Sequence, residues 1–347
     1  MKEKISRIDS NPKLRKLLLP YCRLKNGEIW KDPMGRHRVG CLDATNKNDI
    51  EALMGGKKAV LAIQDPPYNV VVGNNNTNNL SKISLKNYLN QSQKWVRNTI
   101  DILNNNSHFY IWLGADQNEE FQPLPDFMLM MRQFIKEIKA RSFITMRNQR
   151  GYGTQKNWMA VRQELLYYTK GEPKFNVDAE YTEIPKILRG YYKKINGKIS
   201  ENLERSKSEN IRAGNVWVDI QQVFYRMEEN VSGCYAQKPL KAIEGIIVSG
   251  SDKDDLLVDF FAHSGTTLVG AEKLKRRCFT TDLEPIFAEI TIRRLEHFRK
   301  MGETGWQFKS PFPEVDVDFI RENDSEEIGK NSLPQRKLFN EKAIWKS

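Results

Sequence analysis

Lys58-Ala59-Val60-Leu61-Ala62-Ile63-Gln64-Asp65-Pro66-Pro67-Tyr68 runs a short apolar stretch straight into a proline-stiffened polar turn. The apolar residues are consecutive rather than alternate, and the run is short. That is the pattern of a parallel strand buried on both faces. Asp65 then falls at the carboxyl end of a strand, where open α/β sheets bind ligands. Two prolines in a row fix φ and remove two N–H donors, so nearby carbonyls are left as acceptors. An amino group bonded to both the Asp65 carboxylate and the Pro66 carbonyl would lose its conjugation with a ring. Its lone pair could then attack an electrophilic methyl group. Tyr68 offers a π-face to a base removed from its stack. Taken alone, the same residues also describe a plain Asp-Pro turn.

Working outward, strands and helices alternate. His37–Leu42 reads as a strand and Asn48–Met54 as a helix. Beyond an Asn-rich loop, Tyr88–Leu103 has helical spacing, Ser107–Leu113 is a second buried strand and Pro125–Lys139 a second helix. Ser142–Met146 and Glu164–Tyr168 are further strands. After residue 213 the rhythm resumes with helix Pro239–Val248, strand Asp255–Phe261, helix Thr266–Leu274, strand Arg277–Asp282 and helix Pro285–Arg299. This alternation predicts an α/β doubly wound sheet.

A second motif is Asp259-Phe260-Phe261-Ala262-His263-Ser264-Gly265-Thr266-Thr267. It joins a strand to a helix through small residues, which lets a nucleotide-like ligand approach the backbone. Asp282 follows Asp259 by 23 residues, at the end of the next strand. A carboxylate there suits the two hydroxyls of a ribose. An ordinary βαβ unit with an acidic strand end would look much the same.

Together the two motifs resemble the amino-methyltransferases of DNA. The catalytic motif precedes the cofactor motif, which resembles the circularly permuted β group of the adenine-N6 enzymes. Gln237-Lys238-Pro239-Leu240, Val161–Tyr168, Asn215-Val216-Trp217 and Leu42-Asp43-Ala44 resemble further elements of that family, in order. The resemblance covers roughly residues 37–300. It implies a Rossmann-like methyltransferase that uses S-adenosylmethionine and needs no metal. Asp65, Pro66, Pro67 and Tyr68 would hold the target base. Asp65, Lys238, Asp259, Phe261, Ala262, His263, Ser264, Gly265 and Thr266 would line the cofactor site, and Asp282 would bind its ribose. Asp rather than Ser before Pro-Pro-Tyr points to adenine N6 over cytosine N4. Two positions depart from the family: Phe260 stands where Pro is usual, and His263 where Gly is usual. Gly tolerates positive φ and close ligand approach, whereas His carries a Cβ and a ring. Gln163 likewise replaces the usual His.

The chain has 347 residues, 55 Lys and Arg against 44 Asp and Glu, and a formal net charge of +11. Such a balance suits an acidic polymer such as nucleic acid. Cys22, Cys41, Cys234 and Cys278 form no CxxC pair and read as reduced thiols of a cytoplasmic protein. No apolar run approaches a membrane span, so no membrane partner is expected.

The expected divisions are a basic, irregular N-terminal arm (1–36), a catalytic half (37–170), an insertion (171–213), a cofactor half (214–304) and a tail (305–347). Residues 183–213 break the α/β rhythm with eight Lys or Arg against four Glu. In the permuted family target recognition lies in this interval. Arg189, Lys193, Lys194, Arg205 and Arg212 are therefore candidates for phosphate or guanine contacts. Singly, each also fits a solvated charged face. The implied partner is double-stranded DNA, with a cognate restriction endonuclease where the setting is restriction–modification. A monomer or a homodimer both fit. Two other readings stand beside this one: an RNA adenine methyltransferase, and a DNA-binding module on an inactive methyltransferase body.

Overall fold

The computed structural model describes residues 7–8, 11–67, 84–114, 123–152, 160–176, 181–185, 192–201, 210–212, 214–307 and 309–315. Residues 37–170 contain β2 (Arg38–Cys41), α2 (Lys47–Met54), β3 (Ala59–Gln64), α3 (Leu85–Asp101), β4 (Leu103–Leu113), α4 (Pro123–Phe134), β5 (Lys139–Tyr152) and β6 (Ala160–Lys170). Before them come α1 (Pro12–Leu18), a 3₁₀ turn (Leu19–Tyr21) and β1 (Ile29–Lys31). The insertion contributes β7 (Tyr181–Pro185), β8 (Tyr192–Ile195), β9 (Lys198–Glu201) and β10 (Asn210–Arg212). Then follow β11 (Val216–Trp217), α5 (Leu240–Gly250), β12 (Leu256–Asp259), α6 (Thr266–Lys273), β13 (Arg277–Asp282) and α7 (Pro285–Met301).

Nine strands form one sheet in the order β1-β2-β13-β12-β3-β4-β6-β5-β11. From β2 to β4 the neighbours are parallel. β6 runs antiparallel to both β4 and β5. This is the doubly wound, mixed, Rossmann-like sheet that the sequence predicts. The central strands are buried on both faces. Ala62 and Val258 pack with Leu53, Trp95 and Phe127 in one hydrophobic layer. Their neighbours Leu61 and Leu257 pack with Ile243, Leu268 and Ile292 in the other.

β12 passes through α6 to β13 on one side of the sheet centre, and β3 passes through α3 to β4 on the other. The two connections diverge from adjacent parallel strands and leave a crevice at their carboxyl ends. Both sequence motifs open onto that crevice.

The structure differs from the sequence reading at two places. The N-terminal stretch read as irregular holds α1 and β1. Ile8, Leu14 and Leu18 share a core with Ile286, Ile290 and Phe312. Arg23 pairs with Glu289 and Glu296 on α7. Arg299 grips Asp32 at 2.7 and 2.9 Å. Burial alone would raise the Asp32 carboxyl, but those bonds bring it down to about 2. The ion-pair partners lie as much as 273 residues away in the chain, beyond the reach of local pattern. The insertion also has strand order of its own. β8 and β9 pair across Asn196-Gly197, with φ of 50° and 78°. That is the backbone of a two-residue hairpin turn, and the Asn-Gly dipeptide is its signal. β7 and β10 form a second antiparallel pair.

Among the described residues no helix is long and apolar enough to cross a membrane.

Candidate active site

β3 ends at Gln64 because Asp65-Pro66-Pro67 cannot continue the hydrogen-bonded ladder. Asp65 is partly buried, Pro66 buried and Pro67 exposed. Tyr68 lies outside the described residues. Lys238 Nζ lies 2.7 Å from Asp65 Oδ2, with the lysine side chain 7% exposed. The same ammonium sits 5.4 Å from the ring centre of Trp112. A residue just before α5 therefore reaches the carboxylate that follows β3 directly.

Asp65, Lys238, Asp259, Phe261, Ala262, His263, Ser264 and Thr266 line one open-mouthed cleft. Ile63, Trp112, Ile243 and Thr267 complete its walls, and the sequence reading did not select them. Gly265 and Asp282 are absent from the lining and act on its shape. Gly265 has φ +75°, and a Cβ there would lie 3.0 Å from the Thr291 backbone, so a side chain would be strained and tightly crowded against α7. Asp282 Oδ2 accepts the His263 N–H at 2.9 Å, and its Oδ1 accepts the Glu284 N–H at 2.9 Å. His263 takes the left-handed conformation, with φ +44°. This is the position where the resemblance implies glycine, and the backbone keeps the conformation that glycine would favour.

Burial dominates the electrostatics. It pushes the Asp259 carboxyl up to about 7, against hydrogen bonds from Thr267 and the Phe261 N–H, with the charges of Asp65 and Asp282 adding to the rise. Burial likewise raises Asp282 to about 6, against its two backbone hydrogen bonds. A ligand bringing cationic or hydroxyl donors would relieve both groups. Trp112 has a buried indole N–H with no hydrogen-bond partner among the described residues. A cleft that holds the buried Asp259 carboxylate and an indole N–H with no acceptor among the described residues fits the amino acid end of S-adenosylmethionine, and Asp282 stands just behind its lining.

Two supports behind the cleft escaped the sequence reading. Gln64, fully buried, accepts the Phe260 N–H on Oε1 at 2.8 Å. Arg294, also fully buried, donates to the Ser264 carbonyl at 2.8 Å, to Thr266 Oγ1 at 3.0 Å and to the Thr304 carbonyl at 2.6 Å. Burial pulls the Arg294 guanidinium down to about 10.

Of the insertion candidates, Lys193 and Lys194 fall on β8 and Arg212 ends β10. Arg189 and Arg205 lie outside the described residues.

The sheet order and the cleft at its switch point define the class: a Rossmann-like methyltransferase. The family profile described as DNA methylase, covering the N6 and N4 amino-methyltransferases, matches residues 60–293. The chain belongs to that family of S-adenosylmethionine-dependent DNA methyltransferases. It is 24% identical over 236 residues to the type II methyltransferase M.HpaI of Haemophilus parainfluenzae, covering 68% of each chain. It is 26% identical over 274 residues to M1.MboII of Moraxella bovis, covering 75% of this chain and 96% of that one. Among solved structures, the cytosine-N4-specific PvuII DNA methyltransferase shares the fold, with a TM-score of 0.53 and 13% identity over 84% of this chain and 94% of that one.

Proposed function

We propose that the chain methylates the N6 amino group of an adenine swung out of duplex DNA, and that it is a cytoplasmic, site-specific modification enzyme. The observation that carries the reading is Asp65, a carboxylate at the end of β3 facing the same cleft as the turn after β12. Asp65 and the Pro66 carbonyl accept the two amino hydrogens. This turns the nitrogen lone pair out of conjugation and toward the donor. Lys238 holds the Asp65 carboxylate in place at 2.7 Å. Asp259 and Asp282 hold the amino acid and ribose ends of the cofactor, while Phe261 and Ala262 wall it in. S-adenosylmethionine supplies an electrophilic methyl carbon on sulfonium. As the new N–C bond forms, the methyl–sulfur bond would break and leave its electron pair on a neutral thioether, and the amino nitrogen gives up a proton, which the Asp65 carboxylate is placed to accept. Catalysis is then mostly a matter of position and orientation. Swinging the base out costs about a few kcal/mol, and Tyr68 is the residue to stack on it.

The basic insertion 171–213 serves target recognition in this reading, with double-stranded DNA as the partner. The test is product analysis. The chain is incubated with duplex DNA and labelled S-adenosylmethionine, and the DNA is hydrolysed to nucleosides. N6-methyladenine is the expected product. N4-methylcytosine alone would overturn the adenine assignment, and methylation of RNA in preference to the duplex would overturn the DNA assignment.

A further inference from the structure

The backbone ladder between β12 and β3 is registered at Leu257↔Leu61 and Val258↔Ala62. Two residues further along each strand stand Phe260 and Gln64. There a side chain takes over: the Gln64 carboxamide oxygen accepts the Phe260 N–H at 2.8 Å. Gln64 has no exposed surface and Phe260 is 1% exposed, so no water competes for that bond. The amide end of Gln64 faces Thr99 Oγ1 at 3.5 Å, and Thr99 is itself anchored to the Trp95 carbonyl on α3 at 2.8 Å. The bond thus starts from a braced side chain.

Its ends are the informative part. Gln64 is bonded directly to Asp65, the proposed base-holding carboxylate. Phe260 is bonded directly to Phe261, a wall of the cofactor cleft. One hydrogen bond therefore ties the segment that carries Asp65 to the segment that carries Phe261 just beyond the strand ladder. It exists because residue 260 is not proline, which has no N–H to give. A buried N–H without an acceptor is costly, and Gln64 removes that cost at this position.

We infer that Gln64 is a positioning residue for methyl transfer, holding the cofactor turn in register with Asp65 through the otherwise unsatisfied Phe260 N–H. The inference rests on the methyltransferase reading but not on which base is modified.

The test is the Gln64→Leu variant, which keeps the bulk and removes the acceptor. The single-turnover methyl-transfer rate is expected to fall by about tenfold or more, while the dissociation constant for S-adenosylmethionine stays within about threefold. In a Phe260→Pro background, which lacks the donor, Gln64→Leu is expected to change the rate by less than about twofold. Equal effects in both backgrounds, or a rate loss matched by lost cofactor affinity, would overturn the inference. Phe260 is a core residue, and its proline variant can fail to fold. Amide hydrogen exchange at Phe260, followed in wild type and Gln64→Leu at matched global stability, gives an independent reading. Faster exchange in the variant is expected, and unchanged exchange overturns the inference. That measurement needs no catalysis, so it separates failure of this inference from failure of the functional reading.

Discussion

Lys238 Nζ meets Asp65 Oδ2 at 2.7 Å, joining the residue two places before α5 to the carboxylate that follows β3. Both side chains are largely shielded, at 7% and 23% exposure, so the pair is not a solvent-screened surface contact. Removing one partner from such a pair takes the opposite charge away from a shielded group. Lys238→Met is expected to destabilise the chain by about 2–3 kcal/mol in denaturant titrations. Added to Asp65→Ala, it should cost clearly less, because no carboxylate is left behind. Additive losses would mean that the pair does not couple. Asp65→Ala itself is expected to abolish methyl transfer while cofactor affinity stays within about several-fold. Survival of more than about a tenth of the rate would remove Asp65 from the chemistry.

His263 invites a separate experiment. Its φ of +44° is left-handed, which an L-residue adopts at a cost of about 1–2 kcal/mol and glycine adopts freely. The ring lies 4.7 Å from that of Phe287, a contact that offsets part of the strain. His263→Gly is therefore expected to leave stability within about 1 kcal/mol of wild type. If the ring only sits at the rim of the turn, calorimetric affinity for S-adenosylmethionine should stay within about threefold of wild type. A tenfold loss would show instead that His263 bonds the cofactor.

Asp259 at about 7 and Asp282 at about 6 make the cleft pH-sensitive. Both folded values exceed the ordinary aspartate value of about 3.9, so the native state holds protons that the unfolded state has lost. The contribution of these groups to stability is greatest below about pH 4 and declines as pH rises through about 6 to 7. Cofactor donors favour the ionised forms. Binding near pH 6.5 is therefore expected to release protons, and affinity to rise with pH up to about 7. Calorimetry in two buffers of different ionisation enthalpy measures the release directly. No release together with a flat affinity would place both carboxylates away from the cofactor.

What the sequence could reveal was decided by the range of each interaction. The β3 and β12 strands were legible because burial on both faces leaves a continuous apolar run. The turn at residues 259–267 was legible because small residues are needed where backbone must approach a ligand. The strain at His263 was foreshadowed by the glycine usual at its place. Gln64 and Arg294 were not legible, because nothing near Gln64 in the chain announces Phe260, and Arg294 serves carbonyls and a hydroxyl on other elements. The docking of the N-terminal stretch was hidden for the same reason. The β8–β9 hairpin was a different matter: Asn196-Gly197 was in plain view, but a search for strand–helix alternation passes over a two-strand unit.

That hairpin carries two of the candidate recognition cations. Lys193 and Lys194 sit on β8, paired with Ser200 and Ile199 on β9. A hairpin carrying consecutive cations can lie along a phosphate backbone or enter a groove, and the two cases differ in salt dependence. Alanine at a phosphate contact weakens binding to every sequence and flattens the slope of log affinity against log salt by about 0.9. Alanine at a base-edge contact leaves the slope alone and relaxes specificity at one position, by roughly 1–3 kcal/mol. Single alanine variants at Arg189, Lys193, Lys194, Arg205 and Arg212 are expected to leave cofactor affinity unchanged if these cations serve the DNA rather than the cofactor. At least one should change the salt slope or the methylated sequence. Duplex titrations across a salt series, with mapping of the methylated sites, distinguish the outcomes. If all five match wild type in both measurements, the insertion is not the reading element, and the basic N-terminal stretch becomes the next surface to test.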